Sequence, residues 1–142
     1  MRFSAKTEYA CIAVLELAAS RVTGEPVRIR NISSRHEIPQ RFLVQILLQL
    51  KGAGLVASTR GASGGYQLTR DPAEITLREV VEVIEGPPDL TPASKAVSSP
   101  AVQVLASVWR EITAQEQEWL RKLSFADLVD RMKDSAGSMY YI

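Results

Sequence analysis

Gln40, Arg41 and Gln45 stand in the run IPQRFLVQILLQLKGAG, and Arg60 closes LVASTR just before GASGG. A glutamine amide pairs with the N6 and N7 edge of adenine, and a guanidinium with O6 and N7 of guanine. On one helix face these side chains have the chemistry to read bases in a major groove. A solvated helix face has the same composition, and that alternative stays open on these residues alone. An arginine at a hairpin tip fits a narrow minor groove, where negative potential is focused; a plain turn is the other reading of GASGG. The glycines do not form a phosphate loop, because no lysine follows them and the chain continues as a strand rather than a helix.

Residue sets for catalysis are lacking. His36 is the sole histidine and Cys11 the sole cysteine, and His36, without a matching serine or cysteine constellation, reads as a surface residue or polar partner. One thiol excludes an intramolecular disulfide and is too few for a cysteine-based zinc or iron-sulfur site. We therefore expect no enzyme, no cofactor and no metal site. Cys11, inside an apolar helical pattern, reads as packing; a redox or small-molecule sensor acting through Cys11 or the dimer cleft is the alternative. Glu79, Glu82 and Glu85 lie along one helix and read as a solvated face.

Charge separates the chain into halves. Through Arg70 there are 10 Lys and Arg against 4 Asp and Glu, and from Asp71 onward 7 against 12. The first half, which includes Arg2 and Lys6, suits a polyanion. A regulatory interaction subunit that had lost DNA binding is a competing class, and its signature would be a neutralised basic half. No apolar run approaches the ~18 residues of a spanning helix, and Glu8 and Glu16 interrupt the first apolar stretch. A cytoplasmic protein without a membrane segment is expected.

The elements that must position these groups follow from periodicity. TEYACIAVLELAAS predicts a core helix beginning after Ser4, and VRIRNISSRHEI a weaker second helix. From Pro39, Leu43, Ile46, Leu47 and Leu50 form an i, i+3, i+4, i+7 stripe, with Gln40, Arg41, Val44, Gln45 and Leu48 on the other face. LVASTR and GYQLTR predict a hairpin. Three helices and a hairpin are the order of a winged helix-turn-helix. TLREVVEVIEG follows, with Thr76 and Glu79 spaced as a capping box, then a Pro- and Ser-rich loop. An amphipathic helix from Ser99-Pro100 to about Leu123 carries Val102, Leu105, Val108, Trp109, Ile112 and Trp119. With little chain left to cover them, these residues predict a partner helix, most simply from a second copy. SFADLVDRM adds a short capped helix at Ser124 and Asp127, and DSAGSMYYI a turn and an apolar terminus.

MRFSAKTEYACIAVLELA, the segment from IPQRF through RGASGGY to EITLREVVEVIEGP, and the long helix beyond the loop resemble the Rrf2 family of bacterial winged-helix transcription regulators. The resemblance spans nearly the whole chain. It implies a mainly α fold with a small β-hairpin wing: a winged helix-turn-helix in residues 1–86, a loop at 87–99, and a dimerisation helix, short helix and tail in 100–142. It also implies a homodimer on a partly palindromic double-stranded operator. Gln40, Arg41, Val44 and Gln45 are carried over to the base-reading helix, and Arg60, Gly64, Gly65 and Tyr66 to the wing. Where cluster-binding members often have glutamate this chain has Val44, which can touch a thymine methyl but cannot accept from cytosine. Those members also carry three cysteines in the loop equivalent to 87–99, which here has none; Glu8 alone cannot hold iron and sulfide. The short loop and the tail resemble the cluster-free repressors of cysteine metabolism. In that subgroup signalling runs through cysteine synthase, whose active site also receives a C-terminal isoleucine. Tyr140, Tyr141 and Ile142 are then a candidate docking tail, with Gly137 and Ser138 as a flexible link; folding back onto the domain is the alternative.

Overall fold

The computed structural model describes residues 3–89 and 99–140, with side chains through residue 136. Helix α1, Ala5–Ser20, begins where Ser4 Oγ accepts the Thr7 amide at 3.1 Å. Its inner face is Ala10, Ala13, Val14, Leu17 and Ala18, all buried. Small side chains let neighbours approach closely, and α1 touches helices on several sides: α2 (Ile29–His36), α3 (Gln40–Gly52), α4 (Leu77–Glu85) and α6 (Phe125–Tyr140).

The α2–α3 turn is three residues long. Glu37 adopts the left-handed conformation, φ 53°, and its amide and that of Ile38 both reach Ser33 O, while Ser33 Oγ donates to Ile38 O at 2.6 Å. Ile38 is buried beneath the turn. Helix α3 buries the predicted stripe of Leu43, Ile46, Leu47 and Leu50 completely. Strands β1 (Val56–Thr59) and β2 (Gly65–Leu68) pair antiparallel, with Val56 opposite Leu68 and Thr59 opposite Gly65.

The structure amends four sequence expectations. Thr76 Oγ1 accepts the Glu79 amide at 3.3 Å, but the Glu79 carboxylate turns to Arg70 instead of back to the cap. Glu82 pairs with Arg78 and Glu85 with Ser4 and Thr7, so the three glutamates are contact-making rather than a merely solvated face. The helix expected to be short at Ser124 has 16 residues. It opens with a reciprocal box, Ser124 N to Asp127 Oδ2 and Asp127 N to Ser124 Oγ, each 3.1 Å. It runs through Gly137 and Ser138 to Tyr140, so the link expected there is helical; the remaining tail residues, Tyr141 and Ile142, lie outside the described residues.

Helix α5, Pro100–Lys122, is about 35 Å long at 1.5 Å per residue and starts from a Ser99 cap on Val102 N. Its end is anchored where Leu77 N donates to Leu123 O and Phe125 N to Ile75 O, both 2.9 Å. Leu120, Phe125 and Val129 are buried. Along the rest of α5, Val104, Leu105, Val108, Trp109, Ile112 and Trp119 are exposed.

Candidate nucleic-acid interface

Burying the leucine-isoleucine stripe of α3 forces its other residues outward. Gln40, Arg41, Val44, Gln45, Leu48 and Gln49 are all exposed. The Arg41 guanidinium lies 5.1 Å from the Phe42 ring centroid, and Phe42 leans on Tyr9 of α1 at 6.0 Å. A stack of this kind holds the cation at the helix start without neutralising it. Arg28, the α2 N-cap residue, and Arg30 add positive charge at the start of α2; sequence periodicity gave no reason to single them out.

The wing is held against the helices from two sides. Lys51 Nζ donates to Ser58 Oγ at 2.7 Å, joining the end of α3 to β1. Val27, just before α2, exchanges two backbone hydrogen bonds with Tyr66, 2.9 and 2.8 Å, so it acts as a third strand residue beside β2. This approach explains Gly65, where a Cβ would sit 2.5 Å from Val27 O; at Gly64 it would sit 2.1 Å from Thr59 O. Gly64 is buried, Tyr66 is half-buried against the core, and Arg60 is exposed at the tip. Arg70, at the other end of the hairpin, is committed to Glu79.

Lys6 is half-buried on α1, and Arg2 lies outside the described residues. The geometry thus brings Gln40, Arg41, Val44 and Gln45 onto one face and sets Arg60 apart on the adjoining hairpin. On α5, Leu105, Val108, Trp109, Ile112 and Trp119 are exposed, as is Val104, which sequence periodicity did not single out; Val102 is half-buried.

Two helices joined by a tight turn, the second presenting a polar outer face and followed by a hairpin with a cationic tip, define a winged-helix DNA-binding protein. Residues 3–131 match the model of the Rrf2 family, described as iron-dependent transcriptional regulators. The chain belongs to that family of DNA-binding regulators, which is not a family of enzymes. Rv1287 of Mycobacterium tuberculosis is 36% identical over 132 residues, covering 90% of this chain and 81% of that protein. The solved structure of T. potens IscR is similar with a TM-score of 0.81 at 31% identity, over 99% of this chain and 97% of that one. CymR, the global cysteine regulator of B. subtilis, is similar with a TM-score of 0.78 at 28% identity, over 92% and 98%.

The family description raises iron, and the donor set here does not fit a cysteine-ligated cluster. Cys11 is the only thiol, and residues 87–99 contain none. Burial, and then the Glu8 carboxylate, push that thiol up to about 11, away from the thiolate that binds iron. His36 is taken by Glu16 at 3.3 Å. Among the described residues no three His, Cys, Asp or Glu side chains gather in a way that could hold a metal ion. No helix among them is long and apolar enough to cross a membrane.

Proposed function

We propose that the protein is a homodimeric repressor that sets α3 of each protomer in a major groove of a partly palindromic operator, with Arg60 of each wing in the flanking minor groove. The seam of α5 carries this reading. Leu105, Ile112 and Trp119 recur every seven residues with Val108 between the first two, and they are 39–65% exposed. A heptad spacing with apolar positions is the pattern by which two helices cover one another. Pairing two copies there puts two recognition helices on one face of the duplex, about 34 Å apart, roughly one helical turn. A protein held over a promoter in this way obstructs polymerase, which is the physical basis of repression.

The regulated genes, on this reading, belong to cysteine and sulfur metabolism, and the signal reaches the dimer without an iron-sulfur cluster. Likeness to the B. subtilis cysteine regulator supports this, as does the cysteine-free segment 87–99. Sequencing genomic fragments that co-purify with the protein tests it, together with sedimentation of the free protein. Fragments carrying sulfur-metabolism promoters, bound by a dimer, are the expected result. A monomer, or fragments with no such promoters, counts against the corresponding half of the proposal.

A further inference from the structure

The outward face of α3 is not uniformly polar. At about 100° per residue, the buried Leu43, Ile46, Leu47 and Leu50 centre on one side of the helix. The opposite pole falls among Arg41, Gln45 and Leu48, each within about 30° of it. Leu48 is 59% exposed and Val44 41%. Leu48 therefore stands near the middle of the exposed face and not at the core border, where a leucine would gain by packing. Val44 and Leu48 are four residues apart, the spacing at which helical side chains lie one above the other. They make a short aliphatic strip.

The residues around the strip say what it meets. Arg41, Gln45 and Gln49 flank it, all exposed, and the two glutamines have no side-chain partner among the described residues. Glutamine beside an aliphatic strip matches one base pair better than any other. In the major groove, adenine offers N6 and N7 to an amide, and its partner thymine offers a C5 methyl, the only apolar group on any base edge. A second copy of the chain is a poorer occupant for α3, because α5 exposes a larger apolar seam while α3 places its strip among an arginine and glutamines.

We propose that Val44 and Leu48 read thymine methyl groups, so that α3 selects A·T pairs, with the adenines bonded by Gln45 and Gln49. This rests on the reading of α3 as the base-contacting helix and adds the base it prefers and one more base-touching side chain, Leu48. Removing one buried methyl from such an interface lowers affinity about three- to fivefold.

The test uses the full chain and a random duplex library. The enriched site is resynthesised with deoxyuridine in place of thymidine, one position at a time. The wild type is expected to lose three- to fivefold at each contacted thymine. Leu48→Ala should bind the thymine and uracil forms equally at one of those positions, and Val44→Ala at another; both side chains lie outside the core, so the variants fold. Equal affinity of the wild type for the thymine and uracil forms overturns the inference, and so does a uracil penalty that both variants retain. If no sequence is enriched at all, the base-contacting role of α3 fails, and this inference with it.

Discussion

Arg70 Nη2 lies 2.8 Å from both carboxylate oxygens of Glu79, so the arginine that ends the wing is spent on α4. Arg60, the arginine ten residues earlier, is exposed and has no ion pair among the described residues. Two arginines that look equivalent in STRGASGGYQLTR thus have different electrostatic fates.

They should separate in a salt titration. Arg60→Ala is expected to weaken operator binding and to reduce the slope of log K against log salt by ~0.9 for each phosphate that is no longer neutralised. Arg70→Ala should leave that slope alone and cost at most about 1 kcal/mol of stability, since the pair is well exposed to solvent. Fluorescence anisotropy over a salt series measures the first and urea titration the second. An equal change of slope in both variants contradicts the assignment of Arg70 to Glu79.

The wing glycines differ just as sharply from Gly52. Gly64→Ala and Gly65→Ala drive a Cβ into the backbone of Thr59 and Val27, and each is expected to cost about 1–3 kcal/mol. Gly52, at the end of α3, has open space around it and no positive φ; Gly52→Ala should be neutral or gain up to about 1 kcal/mol. Denaturant midpoints compare the three, and a Gly64→Ala protein as stable as wild type contradicts the close approach of Gly64 to Thr59.

Acid should loosen the α1–α4 contact. The Thr7 hydroxyl, at 2.5 Å, and then the Ser4 amide, at 3.0 Å, hold the Glu85 carboxyl below its ordinary value. A carboxylate whose folded pKa is depressed contributes stability above its unfolded pKa of about 4.3, and loses it as pH falls through the folded value. Melting temperature measured from pH 7 to pH 3 should fall more steeply for wild type than for Glu85→Gln below about pH 4.3. Parallel curves would falsify the role of Glu85 in this contact.

Cys11 should be a poor thiol sensor. With its thiol raised to about 11 by burial and by Glu8, little thiolate is present at neutral pH, and thiolate is the reactive form. Alkylation by iodoacetamide is expected to stay slow until well above about pH 9, and operator binding by Cys11→Ser to match wild type with and without peroxide. Loss of binding in peroxide that the serine variant escapes would restore the sensor reading.

A charge in the α5 seam should separate the protomers. Ile112→Asp places a carboxylate among Leu105, Val108 and Trp119, where pairing with a second helix would bury it without a partner. Sedimentation is expected to show a monomer with unchanged helix content, and operator affinity to fall by more than about tenfold once two half-sites are no longer linked. A variant that remains dimeric removes α5 from the interface.

Local patterns in the sequence were enough to determine that each main helix and the hairpin exist, though not the length of α6. Leu43, Ile46, Leu47 and Leu50 repeat with the period of a helix, and that period alone turns Gln40, Arg41, Val44 and Gln45 outward. Ser4, Thr76, Ser99 and Ser124 announce their helix starts because a cap is satisfied within three residues of itself. The seam of α5 is legible for the same reason. Tertiary structure alone decided which distant partners compete for a side chain. Glu79 had a local claim, the Thr76 amide, and a distant one, Arg70, and the ion pair prevailed. Val27 reads as the first residue of the second helix, yet that helix starts at Ile29 and the Val27 backbone pairs with Tyr66 far along the chain, and this is what makes Gly65 necessary. Gly137 reads as part of a turn and a flexible link, but helix α6 continues through it. Hydrophobic period and capping act over three or four residues. Choices between partners depend on what the fold brings within about 3 Å, and a linear pattern carries no record of that distance.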